Sequence, residues 1–202
     1  MIPKMLHRIW LGETNIPAEF DTYWYKWMRL HPEWVFQTWL DTSFDWLHNR
    51  ALFDAAETLS EKSDIARYEI LAQFGGVYVD TDQEPLRNID ELLFMGAFAA
   101  YETPGHLAIG MLGAETLHPA ALALVKELPV WLAAHANETK RVDIRTGPHF
   151  LTHVWGQRTD VWQLPSWTFY PYGYWEKEKK GGPYPPQSYA VHHWAASWQK
   201  GA

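Results

Sequence analysis

Two aspartates one residue apart, Asp80 and Asp82, follow a glycine pair and a short apolar run in Gly75-Gly76-Val77-Tyr78-Val79. In an extended segment, residues i and i+2 point to the same side, with alpha carbons roughly 6–7 Å apart. Two carboxylates on one face at a strand end suit a hard divalent cation, which prefers oxygen ligands. A cation held there can in turn carry a diphosphate and stabilise a departing nucleotide. Upstream, Asp64 and Arg67 are three apart, so on a helix they share one face. They form either an ordinary surface ion pair or, in a cleft, a pair that handles phosphate and sugar oxygens.

The elements that must position these groups are legible in outline. Lys4 to Leu11 reads as a first strand, Ala18 to Leu30 as a helix ended by His31-Pro32, and Trp34 to Leu40 as a second strand. A helix is expected from about Glu61 to Phe74, with Ser60 as N-cap and Gly75-Gly76 as its stop. Ile65, Tyr68, Leu71 and Ala72 give its apolar stripe. Val77 to Val79 is a short buried strand that runs into the aspartates. Ala97 to Tyr101 and Leu107 to Leu112 read as further strands, and Pro119 to Ala134 as a long helix. Thr146-Gly147-Pro148 opens another short helix, since proline is tolerated in the first turn. Pro165 to Pro186, rich in Pro, Gly, Tyr and Trp, is expected to form a long ordered loop or flap. Tyr189 to Trp194 reads as a last strand. Strands alternating with helices indicate an α/β sheet protein.

Length and composition set bounds. The 202 residues suit one domain, and 47% hydrophobic content against 20% charged supplies a large core. A formal charge of −7 argues against a binder of nucleic-acid backbones, so no nucleic-acid partner is expected. The absence of cysteine excludes disulfides and thiolate metal sites. No apolar run approaches the roughly 20 residues of a membrane span, and no signal peptide is evident at MIPKMLHRIWLG. A cytoplasmic location with, at most, peripheral membrane association is expected. Aromatics are abundant, with 13 Trp; composition alone does not separate core-filling indoles from those lining a sugar or nucleobase groove.

The segment Ser63 to Leu86 resembles the core motif of the DXD-containing glycosyltransferases of family 32, which include fungal mannosyltransferases and bacterial capsule enzymes. It is more distantly similar to the glucosyltransferase domains of large glucosylating toxins. Ser63, Asp64, Arg67, Tyr68, Leu71, Gly75, Gly76, Tyr78, Asp80, Asp82, Pro85 and Leu86 match that pattern in order. The opening IPKMLHRIWLG resembles the family's first strand, through Ile2, Pro3, Lys4, His7, Trp10 and Gly12, and the close YAVHHWAASW resembles its terminal His followed by Ser-Trp. The sequence departs from the pattern at Gln83-Glu84, where members carry a small or aliphatic residue.

The resemblance implies a single-domain, GT-A-like (Rossmann-like) mixed sheet flanked by helices. Residues 1–96 would form the nucleotide-sugar half and 97–202 the acceptor-side half with a closing C-terminal segment. It implies a retaining hexosyltransferase that moves a sugar from a UDP- or GDP-sugar to a hydroxyl acceptor, a glycan or glycolipid, with Mn²⁺ or Mg²⁺ as cofactor. Asp64, Arg67, Asp80 and Asp82 would be catalytic. His7, Trp10, Ser63, Tyr68, Gly76, Tyr78, Ser197 and Trp198 would bind the donor, with Trp10 stacked on the base. Thr146 and Gly147 would lie on the acceptor side. Asp80, Asp82 and one of the paired histidines would hold the metal. Neighbouring strand residues face opposite ways, so only one histidine turns to the cleft, and His192 is favoured. Two other readings remain open: a carbohydrate-binding module without catalysis, and a haloacid-dehalogenase-like phosphatase, which normally places Thr or Val where Glu84 stands.

Overall fold

The computed structural model describes residues 1–12, 15–136 and 141–195. The elements in chain order are β1 (Met5–Ile9), α1 (Ala18–Leu30), β2 (Val35–Trp39), α2 (Arg50–Ala55), α3 (Leu59–Phe74), β3 (Gly76–Val79) and β4 (Gln83–Pro85). After these come β5 (Ala97–Thr103), β6 (His106–Ala114), α4 (Pro119–Ala134), α5 (Val142–Arg145), α6 (Pro148–Trp155), β7 (Trp162–Leu164) and β8 (Ala190–His192). A six-stranded sheet has the order β2-β1-β3-β6-β5-β7. β1 runs parallel to β2 and β3, whereas β6 is antiparallel to both β3 and β5, so the sheet is mixed.

Apolar residues cover both faces. On one, Leu71, Leu112, Leu124, Phe150 and Trp155 pack together; on the other, Leu6, Trp27, Val79, Met111 and Phe169 do. Such two-sided burial explains why β3 reads as a continuous apolar run. Trp24, Trp27, Trp34, Trp39 and Trp155 are buried in the two main clusters and serve the core, Trp10 is buried in a separate group with Phe20 and Tyr23, and Trp162 and Trp175 are exposed.

Several expectations need correction. The cap of α3 is Thr58, whose side chain accepts from the Glu61 amide at 3.1 Å, and not Ser60, which lies inside the helix. Thr58 has the extended backbone that aims a hydroxyl at the amide three residues on. The expected stripe on α3 is also too narrow: Asp64, Ala66, Arg67, Glu69 and Ile70 are buried as well, because α2, α4 and α5 cover the helix away from the sheet. The last strand is shorter than Tyr189–Trp194 and does not join the main sheet; Ala190–His192 pairs antiparallel with β4. Strands β4 and β7 and helices α2 and α5 carry too few residues for periodicity to reveal them. Between residues 165 and 186 the chain is irregular apart from single helical turns at Ser166–Thr168 and Lys177–Lys179.

Gly75 and Gly76 join α3 to β3 at φ +66° and +88°. A Cβ at Gly75 would sit 2.5 Å from the Thr116 amide nitrogen, and one at Gly76 would sit 2.6 Å from the Met5 carbonyl oxygen. The glycine pair therefore stops the helix and lets β3 lie directly against β1. This junction delivers Asp80 to the end of the sheet.

Candidate functional site

Asp80 leaves β3 at the carboxyl end of the parallel pair β1–β3, the edge at which open α/β sheets bind ligands. Its amide donates to the Gly110 carbonyl at 2.7 Å, and its carbonyl accepts from the Gln83 amide at 3.0 Å. That turn starts β4, where Gln83 pairs with His192 of β8. The register sets His192 beside the two aspartates: Nε2 lies 3.1 Å from Asp82 Oδ1 and 3.4 Å from Asp80 Oδ2. One ligand atom from each of Asp80, Asp82 and His192 falls within a 4.8 Å group. His193 turns the other way, with Nε2 2.8 Å from Glu84 Oε2 and Nδ1 3.1 Å from the Tyr172 hydroxyl. Glu84 also pairs with Lys26, so it belongs to this second network and not to the aspartate pair.

Electrostatics bind the cluster together. Burial alone would raise Asp82, but the His192 charge holds it down to about 2. Burial alone would lower His192, yet Asp82 and Asp80 push it up to about 10. The imidazolium thus offsets one of the two carboxylate charges. Two carboxylates plus one imidazole make a donor set that fits a hard divalent cation, which would take the place of that proton. His192 Nδ1 is buried without a hydrogen-bond partner among the described residues.

Behind the cluster, α3 supplies a buried cation. Arg67 Nη1 is 3.1 Å from Asp80 Oδ1 and donates to the Ile109 carbonyl at 2.9 Å. Its Nη2 lies 3.0 Å from Asp64 Oδ1 and 3.2 Å from the Ser63 hydroxyl. Burial opposes that charge, but Asp80, Tyr78 and Asp64 outweigh it and keep the guanidinium protonated. Arg67 also stacks over the Tyr78 ring, whose hydroxyl donates to Asp80 Oδ1 at 2.8 Å. The Asp64–Arg67 pair is therefore an internal support, not a solvated surface contact. Asp64 is 1% exposed and accepts from the Thr146 hydroxyl at 2.8 Å. Burial raises Asp64 to about 7, against the pull of Arg67 and Thr146. The Tyr68 hydroxyl donates to the Thr146 carbonyl at 2.6 Å, which ties α3 to the segment before α6. Gly147 forms the N-cap of α6 beside Asp143.

The structure thus brings Ser63, Asp64, Arg67, Tyr68, Tyr78, Asp80, Asp82, Thr146 and His192 into one connected network. His7 is placed differently. It is fully buried, its Nε2–H donates to the Gly75 carbonyl at 2.9 Å, and its Nδ1 accepts from Trp39 at 3.2 Å. Both ring nitrogens are committed to joining β1, β2 and the glycine pair, and the Gly76 backbone packs against this ring. Trp10 is buried, edge-on to Phe20, with its Nε1 unpartnered among the described residues. Its cluster reaches the aspartates through Ala195, which packs on that aromatic group and donates its amide to Asp82 Oδ2 at 2.8 Å. Ser197 and Trp198 lie outside the described residues.

Two contributors escaped the sequence reading. A Cβ on Gly110 would stand 3.0 Å from Asp80 Oδ2 and 3.2 Å from both His192 Cδ2 and the Tyr170 hydroxyl. Its missing side chain keeps the cluster open. Tyr170 accepts from the Met111 amide at 3.0 Å and faces His192 edge-on. Nothing local marks either residue, because both act through pairing with distant strands.

Comparison with known proteins finds likenesses in fold and in sequence. The PaToxG glycosyltransferase superposes with a TM-score of 0.65 at 16% identity, over 77% of this chain and 68% of that one. The UDP-bound glycosyltransferase domain of the YGT toxin gives 0.57 at 12%, over 80% and 79%. At those identities the likeness shows a shared fold. In sequence, inositol phosphoceramide mannosyltransferase 3 of Schizosaccharomyces pombe is 28% identical over 175 residues, covering 82% of this chain and 48% of the relative. The chain therefore spans about half the length of that curated relative. Residues 17–98, which hold α3, the glycine pair and both aspartates, match the glycosyltransferase sugar-binding region containing DXD motif. Over those residues the chain is similar to the glycosyltransferases whose sugar-binding region carries the DXD motif.

Proposed function

We propose that this protein transfers a hexose from a nucleoside diphosphate sugar to a hydroxyl of a glycan or glycolipid, with retention of configuration and dependence on Mn²⁺ or Mg²⁺. The observation that carries the reading is the convergence of Asp80, Asp82 and His192 within 4.8 Å at the sheet edge, backed by a buried arginine 3.1 Å from Asp80. Such a cation, when bound, would offset the negative charge that grows on the departing diphosphate. Asp80, Asp82 and His192 would hold it. Arg67 fixes the orientation of Asp80 and adds a permanent positive charge beside the leaving group. Asp64 and Thr146 keep Arg67 in place, and Tyr78 holds Asp80 from the other side. Trp10 lies at the base-binding end, and residues 97–202 supply the acceptor side. Retention is read from the family resemblance, with the departing phosphate as base on the same face of the sugar.

A mannosyl donor is favoured by the name of the fungal relative, and a uridine nucleotide by the ligand of the toxin domain. Among the described residues no helix is long and apolar enough to cross a membrane. A cytoplasmic location, with peripheral membrane contact where the acceptor is a glycolipid, is part of the same proposal; fractionation of the tagged chain tests it. The activity is tested by hydrolysis across a panel of UDP- and GDP-sugars with and without Mn²⁺, which needs no acceptor. Manganese-dependent release of one nucleoside diphosphate is expected. Absence of release from every donor, or release indifferent to metal, would remove the reading.

A further inference from the structure

Asp64 cannot readily serve the sugar itself, since it is 1% exposed and both its oxygens face protein partners. Another carboxylate stands by the cluster. Glu102 lies near the end of β5, where the ladder with β6 breaks register between Ala99 and Tyr101 and again between Tyr101 and Thr103. Bulges of this kind re-aim side chains beside functional sites. Here the break frees the β6 stretch Ile109–Met111 to meet Arg67, Asp80 and Tyr170 by its backbone. Along β5, Ala97, Ala99 and Tyr101 pack on the helix side with α3 and α6, whereas Phe98 and Ala100 pack with Phe169 and Tyr170. Glu102 is the extra residue of the second break, so its side chain is aimed by the bulge and not by simple alternation. Its charge acts on Tyr170, and it feels His192, His106 and Asp143.

Glu102 is half-buried and makes no hydrogen bond or ion pair among the described residues. Burial pushes its carboxyl up from the ordinary range, with only partial relief from the histidines. A desolvated acceptor without a donor is costly to the fold. Vicinal hydroxyls of a pyranose ring are donors of the right kind, and a carboxylate can accept from two at once. The ring attached to a diphosphate at Asp80, Asp82 and His192 is the nearest source of them.

We propose that the Glu102 carboxylate binds hydroxyls of the donor's sugar ring. This rests on the transferase reading. Titration calorimetry in the presence of Mn²⁺ tests it, with UDP, GDP, UDP-glucose, UDP-galactose, UDP-N-acetylglucosamine and GDP-mannose as probes. Glu102→Ala should bind the free nucleoside diphosphate within about twofold of wild type. Its affinity for the matching nucleotide-sugar should fall about tenfold to a hundredfold, as expected for losing charge-assisted hydrogen bonds. Glu102→Gln, which keeps one acceptor, should lose less. Unchanged nucleotide-sugar affinity in Glu102→Ala overturns the proposal. An equal loss for nucleotide and nucleotide-sugar overturns it too, by placing the effect on the metal. The metal-free variant should melt at or above wild type, because an unsatisfied carboxylate is gone; a much lower melting point would make Glu102 a fold residue and sink the idea. Wild-type protein that binds none of the probes removes the transferase reading itself, which is a different outcome from a wild type that binds and a variant that binds as well.

Discussion

His192 reaches Asp82 across more than a hundred residues of chain, Nε2 to Oδ1 at 3.1 Å, because β8 pairs with β4 in the register Gln83↔His192. Desolvation works against both charges, yet Asp82 sits at about 2 and His192 at about 10. Burial is the largest single influence on each, and the surrounding charges and hydrogen bonds together outweigh it; the pair links the C-terminal segment to the DXD turn.

Asp82→Asn should abolish the stabilisation that Mn²⁺ is expected to give wild type in a thermal melt and lower turnover about a hundredfold or more. It should also cost stability, about 3 kcal/mol by denaturant unfolding, because His192 loses its nearest partner inside the protein. A variant that still melts higher with manganese would show that the ion binds elsewhere.

Thr146 tests the support beneath the site. Thr146→Val keeps the shape but leaves Asp64 Oδ2 without the hydroxyl that it accepts from at 2.8 Å. The expected loss is about 1–3 kcal/mol of unfolding free energy. Thr146→Ser should restore most of it. If valine and serine behave alike, the hydroxyl does not matter and the contact is packing alone.

Gly110→Ala places a methyl 3.0 Å from Asp80 Oδ2 and 3.2 Å from His192 Cδ2. The fold should persist, since the glycine has no left-handed backbone to protect. Metal-dependent turnover should drop about tenfold or more, as the carboxylate and imidazole are pushed from a shared geometry. Retained activity with weaker Mn²⁺ dependence would argue that the cluster is not the reacting centre.

Acid should weaken the fold through His7. Its folded value is lowered from 6.5 to about 4 by burial, partly offset by the Gly75 carbonyl. Between those values the unfolded chain takes up a proton that the native state refuses, so stability falls as pH drops from 6.5 toward 4. The loss over that window is about 3 kcal/mol. Urea midpoints measured across it should slope in wild type and be flatter in His7→Gln. Equal slopes would mean that His7 titrates in the native protein.

Local chemistry made much of the site readable. The α3 helix, its glycine stop and the i, i+2 aspartates are written within a few turns of chain, where periodicity and backbone preference act. The short β4 and β8 strands were less legible, since three residues carry no period. The cap shows the limit of local rules: the sequence points to Ser60, and only the extended backbone at Thr58 reveals that its hydroxyl is the one that caps the helix.

From the residues alone came the nature of the chemistry: a carboxylate pair at a strand end, an acidic chain without cysteine, and a helix bearing Asp64 and Arg67. The folded arrangement decided which groups meet. It chose His192 over His193, sent Glu84 to a separate network, enclosed Asp64 and opened the space at Gly110. Those outcomes depend on strand register and on burial between elements far apart in sequence. Such contacts set dielectric and distance together, and no local pattern encodes either.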